Sequence, residues 1–164
     1  MTSRANGSLT VMHAVARWLP LTERWIYQQI QALPAAIESH ILCESTLDLQ
    51  QVAWPFVHAF DALPRWRRLP DVGLRSLGLR RHLGFFVSKA RRYGASILHS
   101  HFGNVGWVNV GVAREARLKH VVSFYGFDMS YLPTREPMWR QRYRVLFEQV
   151  DRVLCEGPAM AHGV

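Results

Sequence analysis

The chain has 164 residues, of which 49% are hydrophobic, so it can bury one core but is too short for two full domains. Two distant cysteines, Cys43 and Cys155, exclude a disulfide framework and a zinc ribbon and favour a reducing, cytosolic setting. The net charge of +8 belongs to residues 65–92, which hold nine basic residues and one acid, whereas the rest of the chain holds 11 of each. Such a segment predicts an anionic partner surface.

Strand-like and helix-like patterns alternate along the chain. The first half predicts a strand at residues 9–16, a corner at 19–22, a helix at about 23–33, a strand at 38–43, an irregular apolar segment or third strand at 52–60, and a loop at 63–73. The second half predicts a helix at 79–93, a strand at 97–101, a helix at 105–117, a strand at 120–124, a loop to 137, a helix at 138–149, and a strand at 152–155 followed by a helix that Pro158 begins. This order predicts an α/β fold with a Rossmann-like parallel sheet and helices on both faces.

Two of the predicted strands end in polar corners that contain glycine, SILHSHFG at 96–103 and VVSFYGFD at 121–128. Parallel strands deliver the side chains at their carboxyl ends to a common cleft. The apolar stretch at 9–19 predicts the first buried strand and is a poor core for a signal peptide. It is interrupted by His13 and Arg17 and is too short to span a bilayer.

His99 and His101 are two residues apart on a strand and therefore share one face. A metal site with Asp128 or His13 as third ligand is the less favoured interpretation, because no other ligand stands at a supporting spacing. We expect His99 to be hydrogen-bonded within the sheet and His101 to reach the cleft.

Three glycines and one acid near these corners each have two interpretations. Gly103 and Gly106 flank a turn into a helix, where phosphate binding and close helix packing explain them equally well. Gly126 permits a bend or the close approach of a ligand. Asp128 either accepts hydrogen bonds from ligand hydroxyls or caps the following turn.

The basic helix predicted at 79–93 places Phe85 among basic residues on the face opposite its apolar side, at about 100° per residue. This pattern is typical of an interfacial helix on anionic lipid, and equally of a solvated charged face with one stray aromatic residue. Nucleic acid is not an expected partner, since no binding motif accompanies the charge. The candidate membrane-binding residues are Arg80, Arg81, Phe85, Lys89, Arg91 and Arg92.

Four segments in the same order resemble one enzyme family. WLPLTERWIYQQIQAL near the start is similar to an "fP-x-(Ser/Thr)-Glu-Thr-Phe-Ile-x-x-Gln-Ile-x-x-Leu" pattern, LHSHFG to "haHfg", SFYGFDMS to "tfHGxD", and VDRVLCEGPAM to "aDxvlxxSxxm". These segments resemble the N-terminal domain of GT-B glycosyltransferases, in the exopolysaccharide, colanic-acid-like branch of the large retaining family 4.

The resemblance implies two Rossmann-like domains around a cleft, with the acceptor held by the N-terminal domain and a nucleotide-sugar by a C-terminal domain that carries paired glutamates. It implies His101, Tyr125 and Asp128 as catalytic residues, and no metal or other cofactor. Tyr125 replaces the usual histidine, so a cation at that position is not expected near neutral pH. The implied substrate-binding residues are Thr22, Glu23, Gly103 and Gly126.

Residues 1–164 are thus expected to be one domain, the N-terminal half of a GT-B fold, cut before the donor-binding domain and inactive alone. The expected partners are a saccharide or glycolipid acceptor, an anionic membrane at its cytoplasmic face, and the C-terminal domain. Two alternatives remain: a non-catalytic Rossmann-like module that binds an anion or nucleotide, and a metal-dependent hydrolase that uses His99, His101 and Asp128.

Overall fold

The computed structural model describes residues 9–18, 23–47 and 54–161. Its strands are β1 (Leu9–Trp18), β2 (Ile37–Thr46), β3 (Val57–Ala59), β4 (Ile97–His101), β5 (Lys119–Phe124) and β6 (Arg152–Cys155). Its helices are α1 (Arg24–Gln31), α2 (Arg65–Ser76), α3 (Gly84–Arg92), α4 (Gly103–Ala116), α5 (Leu132–Arg135), α6 (Met138–Phe147) and α7 (Pro158–Ala161), with a π-helical turn at Phe127–Tyr131. None of the helices in these ranges is long and apolar enough to cross a membrane.

The six strands form one open sheet in the order β3-β2-β1-β4-β5-β6, and every neighbouring pair is parallel. The chain order reverses between β1 and β4, and in open α/β sheets ligands bind outside the carboxyl ends of the strands at such a point. The predicted α/β class with a Rossmann-like parallel sheet is confirmed.

Helices cover both faces of this sheet. On one face, Ile26 and Ile30 of α1 pack with Val15 of β1 and Ile41 of β2. On the other face, α3 and α4 pack on the central strands, and α6 packs on β5. Burial on both sides explains why the central strands read as nearly continuous apolar runs.

The loop predicted at 63–73 is wrong, because α2 occupies most of it. Pro64 immediately precedes the helix, where a missing N–H costs little, and Pro70 removes a single hydrogen bond within it. Two side chains attach the helix to the domain: Asp71 accepts from α3, and Arg75 donates to Glu44 at 3.0 Å. The prolines alone thus indicated a loop, whereas tertiary contacts stabilise this segment as a helix.

The helix predicted to begin at residue 79 begins at Gly84 instead. Gly78 makes a turn with φ 68°, and Leu79 is exposed. The start of α3 is set by Asp71, whose carboxylate accepts the N–H groups of Gly84 and Phe85 at 2.7 and 2.9 Å. This non-local cap satisfies two donors that a helix N-terminus otherwise leaves open.

Other boundaries also differ from expectation, and β2 ends at Thr46, three residues beyond the predicted strand. The loop predicted up to residue 137 contains the π-helical turn and α5. The helix predicted from 105 begins two residues earlier, at Gly103. The strand at 152–155, the candidate third strand and the helix at Pro158 are confirmed.

Replacing Asp71 tests the cap on α3. We expect Asp71→Asn to lower the free energy of unfolding by about 2 kcal/mol, because hydrogen bonds to a charged acceptor contribute about 1.5–3 kcal/mol. Urea denaturation measures the change. Asp61→Asn is the matched control, since that exposed carboxylate accepts one 3.3 Å bond from Thr46. Equal losses for the two variants would contradict the cap.

Candidate active site

The buried carboxylate of Asp128 joins the carboxyl ends of β4 and β5. It accepts the N–H of Gly103 through Oδ2 at 2.5 Å and the N–H of Tyr125 through Oδ1 at 2.6 Å. The side chain is fully buried, with 0% exposed. Of its two interpretations, ligand contact and capping, these bonds fit capping, and the catalytic role that the resemblance implies for Asp128 stays a prediction.

The glycines of the first corner serve close packing. A Cβ on Gly103 would collide with the rings of Phe124 and Tyr143, and a Cβ on Gly106 would lie 2.8 Å from a methyl carbon of Val122. The N–H of Gly103 is already bound to Asp128. Gly103 therefore allows α4 to pack closely on the sheet. Its N–H group is not free to bind a phosphate, so the structure does not favour phosphate binding at this position.

The corner between β4 and α4 contains an unusual backbone conformation. Phe102 has φ 75°, in the left-handed region that non-glycine residues seldom adopt. Its ring packs edge-on against Tyr125, with centroids 4.8 Å apart, and Trp25 of α1 packs on the same Tyr125 ring at 4.3 Å. These three rings hold the two corners and α1 together at one edge of the sheet.

Three histidines lie together on the face of the sheet that α1 covers. Nδ1 of His13 is 3.2 Å from Nε2 of His101, and Nδ1 of His101 is 2.9 Å from the hydroxyl of Tyr125. Nε2 of His99 is 2.7 Å from the hydroxyl of Ser123 on β5, as expected for a histidine that is hydrogen-bonded within the sheet. His101 is itself buried, with 1% exposed, so little of its ring reaches the cleft directly.

Burial sets the charge of this group. It lowers the pKa of His13 to about 3 and that of His99 to about 4, and it holds the pKa of His101 well below its ordinary value. Burial also raises the pKa of Tyr125. At neutral pH the three imidazoles and the phenol are therefore uncharged, and they act as hydrogen-bond donors and acceptors rather than as ions.

The three imidazoles are the described residues best placed to hold a metal ion. One nitrogen from each lies within 4.8 Å of the others, and neutral imidazole is the form that binds zinc. Nε2 of His13 has no hydrogen-bond partner within the described ranges. Asp128 does not belong to this set, because its oxygens face Gly103 and Tyr125. Of the two third ligands considered from the sequence, the geometry thus favours His13.

Two cavities meet at Tyr125. The first, of about 410 Å³, lies against the histidine face. The second, of about 420 Å³, lies at the carboxyl edge of the sheet. The second is lined by Glu23, Trp25, Phe102, Tyr125, Gly126, Phe127 and Glu156.

Most of the predicted cleft residues come together at these cavities. Glu23, Tyr125 and Gly126 line the second cavity, and His101 lines the first. Thr22 lies outside the described residues. Gly126 has φ −58°, and no atom lies within 4 Å of the position that a Cβ would occupy, so neither conformation nor packing requires glycine there.

Sequence reasoning missed two residues of the site. Glu156, immediately after β6, lines both cavities, and Trp25 of α1 lines the second. Glu156 could have been predicted from the sequence, because it follows a strand whose carboxyl end lies at the same sheet edge as the other corners. Trp25 carried no such signal, since its position depends on how α1 packs.

The predicted membrane-binding residues lie elsewhere, on and before α3. The expectation that Phe85 is exposed is wrong: its ring is half-buried against Phe60 and Phe86, at centroid distances of 6.0 and 5.9 Å. Arg80 pairs with Asp71 at 3.4 Å, and Arg81 lies over the ring of Trp107. The remaining members of the set are Lys89, which lies over Phe85, and the exposed Arg91 and Arg92.

Comparison with protein-family models and with curated proteins yields no relative. No protein-family model matches the sequence, and no curated protein matches it. Functional inference therefore depends on the geometry of the site and on the motifs in the chain.

Paired glycine substitutions test the packing role of Gly103. We expect Gly103→Ala to lower the free energy of unfolding by about 1–3 kcal/mol, the usual cost of overpacking a core. Gly126→Ala is the control, and we expect no loss because its Cβ meets open space. Thermal unfolding of both variants provides the comparison. A stable Gly103→Ala protein would refute the packing role.

The buried histidines predict a loss of stability in acid. The folded pKa of His13, His99 and His120 falls to about 3, 4 and 4 from an ordinary 6.5, so below pH 6.5 the unfolded chain binds more protons. Stability is then lost as the pH falls, by about 2 kcal/mol per group at pH 5. Asp128 opposes this trend, because burial raises its pKa to about 6.

Urea denaturation between pH 7.5 and pH 5 measures this dependence. The histidines outnumber the two opposing carboxyls, Asp128 and Glu23, whose pKa values burial raises, so the midpoint should fall on acidification. His120→Gln removes one titrating group outside the two cavities, so it should make the urea midpoint depend less steeply on pH. A midpoint that is constant or rises over this range would show that these imidazoles are not buried in their neutral form.

Proposed function

We propose that this chain is the acceptor-side half of a retaining GT-B glycosyltransferase, which transfers a sugar from a nucleotide-sugar to a lipid-linked or membrane-proximal saccharide. The observation that best supports this is the second cavity, in which the carboxylates of Glu23 and Glu156 stand beside the rings of Trp25 and Phe127. Carboxylates accept hydrogen bonds from sugar hydroxyls, and aromatic rings pack on the apolar faces of a sugar.

Tyr125 and His101 have defined roles in this proposal. The imidazole of His101 is hydrogen-bonded to the Tyr125 hydroxyl and fixes its direction. That hydroxyl is uncharged and so contacts a sugar hydroxyl as a neutral donor or acceptor. Glu23 is half-buried, which raises its pKa, and it lies at the rim where an acceptor hydroxyl enters.

The charge of the cavities bears on where the donor binds. Within the described ranges, neither cavity is lined by lysine or arginine. A departing nucleotide phosphate needs positive partners. In this proposal those partners come from a second Rossmann-like domain across the cleft. The same acidic lining disfavours the alternative of a module that binds an anion or a nucleotide by itself.

The metal-dependent hydrolase remains the second candidate because of the set His13, His99 and His101. Its water-activating ion would lie beside the first cavity. Stoichiometric zinc or manganese in the purified protein would support it over the transferase.

Conservative variants of the full-length protein test the transferase proposal. With a panel of UDP- and GDP-sugars, we expect Tyr125→Phe to lower kcat/KM about tenfold, the value of one hydrogen bond to an uncharged partner. Glu23→Gln should raise KM for the acceptor by about tenfold or more, since a charged hydrogen-bond partner is lost.

Tyr131→Phe and Glu148→Gln are the controls, because both residues are exposed and lie outside the two cavities. Equal effects in test and control variants would remove Tyr125 and Glu23 from the site. Independently, a gene that encodes no second Rossmann-like domain with paired glutamates after Val164 would refute the transferase proposal.

A further inference from the structure

Helix α2 turns a polar side towards the domain and an apolar side towards solvent. Its buried residue is Asp71, whereas Trp66, Leu69 and Val72 are 65%, 66% and 47% exposed. At 3.6 residues per turn, Leu69 and Trp66 lie about 160° and 140° around the helix from Asp71. A helix of a globular protein ordinarily has the opposite arrangement, with its apolar stripe on the core.

Polar contacts hold α2 in this orientation. Asp71 accepts the N–H groups of Gly84 and Phe85 on α3, and Arg75 donates to Glu44 on β2. These contacts lie on the side of the helix away from Leu69. These polar contacts therefore fix the orientation of α2 about its own axis. That orientation directs its apolar side chains towards solvent.

Two more exposed apolar side chains follow the end of α2. Leu77 and Leu79, in the turn that follows, are 73% and 72% exposed. We call the five exposed side chains together the α2 surface. Its members are Trp66, Leu69, Val72, Leu77 and Leu79. Isolated exposed apolar residues are ordinary, but several on one helix and its adjoining turn mark an interaction site.

Basic side chains border the α2 surface. Arg65, Arg67 and Arg68 lie in the first turn of the helix, and the guanidinium of Arg67 is 4.8 Å from the ring centroid of Trp66. Within the described ranges, no acidic side chain forms an ion pair with these three arginines. An exposed tryptophan and leucines beside arginines match the two layers of an anionic bilayer surface, with acyl chains below and phosphates above.

The positive charge also distinguishes between the two possible partners of the α2 surface. A second copy of this chain, docked by the same surface, would bring three arginines against three arginines, which is unfavourable. An anionic bilayer instead gains from each of them, and from the basic residues that follow on α3. We propose that the α2 surface docks this protein on an anionic lipid bilayer, with Trp66 and Leu69 inserted among the lipids.

This proposal rests on the proposed function only for its purpose, which is to bring the acceptor cavity to a lipid-linked saccharide. Binding to vesicles can be measured without any sugar substrate, so the two proposals fail separately. A transferase that does not bind lipid would contradict the docking alone. A lipid-binding protein without transferase activity would contradict the enzyme alone.

Sedimentation of the full-length protein with vesicles tests the docking. We expect partition into phosphatidylcholine vesicles with 30% phosphatidylglycerol, and at least a tenfold weaker partition into pure phosphatidylcholine. Trp66→Ser/Leu69→Ser should reduce the partition at least tenfold. Arg65→Ser/Arg67→Ser should reduce it roughly 30-fold, at ~1 kcal/mol for each charge near an anionic surface.

Matched pairs control for apolar area and for net charge. Leu9→Ser/Met138→Ser removes exposed apolar side chains elsewhere, and Arg140→Ser/Arg144→Ser removes the same charge from α6. Both control proteins should partition like the parent. Thermal melting of every variant verifies the fold, and α2 substitutions should leave the melting temperature nearly unchanged because the replaced side chains are exposed.

Three results would overturn the proposal. The first is equal binding of the parent to neutral and anionic vesicles. The second is an equal loss in the α2 variants and their matched controls. The third is a parent protein that self-associates and does not bind vesicles, and that becomes monomeric on Trp66→Ser/Leu69→Ser. The α2 surface would then be an interface between protein copies.

Discussion

The two hydrogen bonds that backbone amides donate to the buried carboxylate of Asp128 are the constraint on which the candidate site depends. They join the start of α4 to the end of β5. With these ends held, Phe102 keeps a left-handed backbone conformation that non-glycine residues seldom adopt, and the hydroxyl of Tyr125 points towards His101. A buried carboxylate is costly to desolvate, and multiple amide donors offset that cost. Asp128 thus contributes to the site by placing other groups.

The molecule separates its polar chemistry into two regions. At the carboxyl edge of the sheet, neutral imidazoles and a phenol stand beside the carboxylates of Glu23 and Glu156. The excess positive charge lies on α2, on α3 and on the segment between them, outside both cavities. A neutral and acidic cavity suits hydroxyl groups, whereas a basic surface with exposed apolar residues suits anionic lipid. The two proposals assign the cavity to the saccharide of the acceptor and the basic surface to the bilayer that would hold a lipid-linked acceptor.

The basic segment is where reasoning from the sequence was least accurate. Proline and glycine at Pro64, Pro70 and Gly73 indicated a loop, and the spacing of apolar residues from Leu79 indicated a longer α3. Both signals are local. The structure instead follows a contact between distant residues, because Asp71 stabilises α2 and sets the first residue of α3. As a result, Phe85 is half-buried and the exposed aromatic residue of the segment is Trp66.

The sequence by itself determined the α/β class, most strand positions, and the meeting of the two glycine-containing corners at one sheet edge. These follow from side-chain periodicity and chain order, which are properties of neighbouring residues. Only the tertiary structure decided that Asp128 accepts two backbone amides, that His13 joins His99 and His101, that Glu156 and Trp25 line the cavities, and that α2 presents its apolar side to solvent. Each of these depends on contacts between residues far apart in the chain, whose pairing no local pattern encodes.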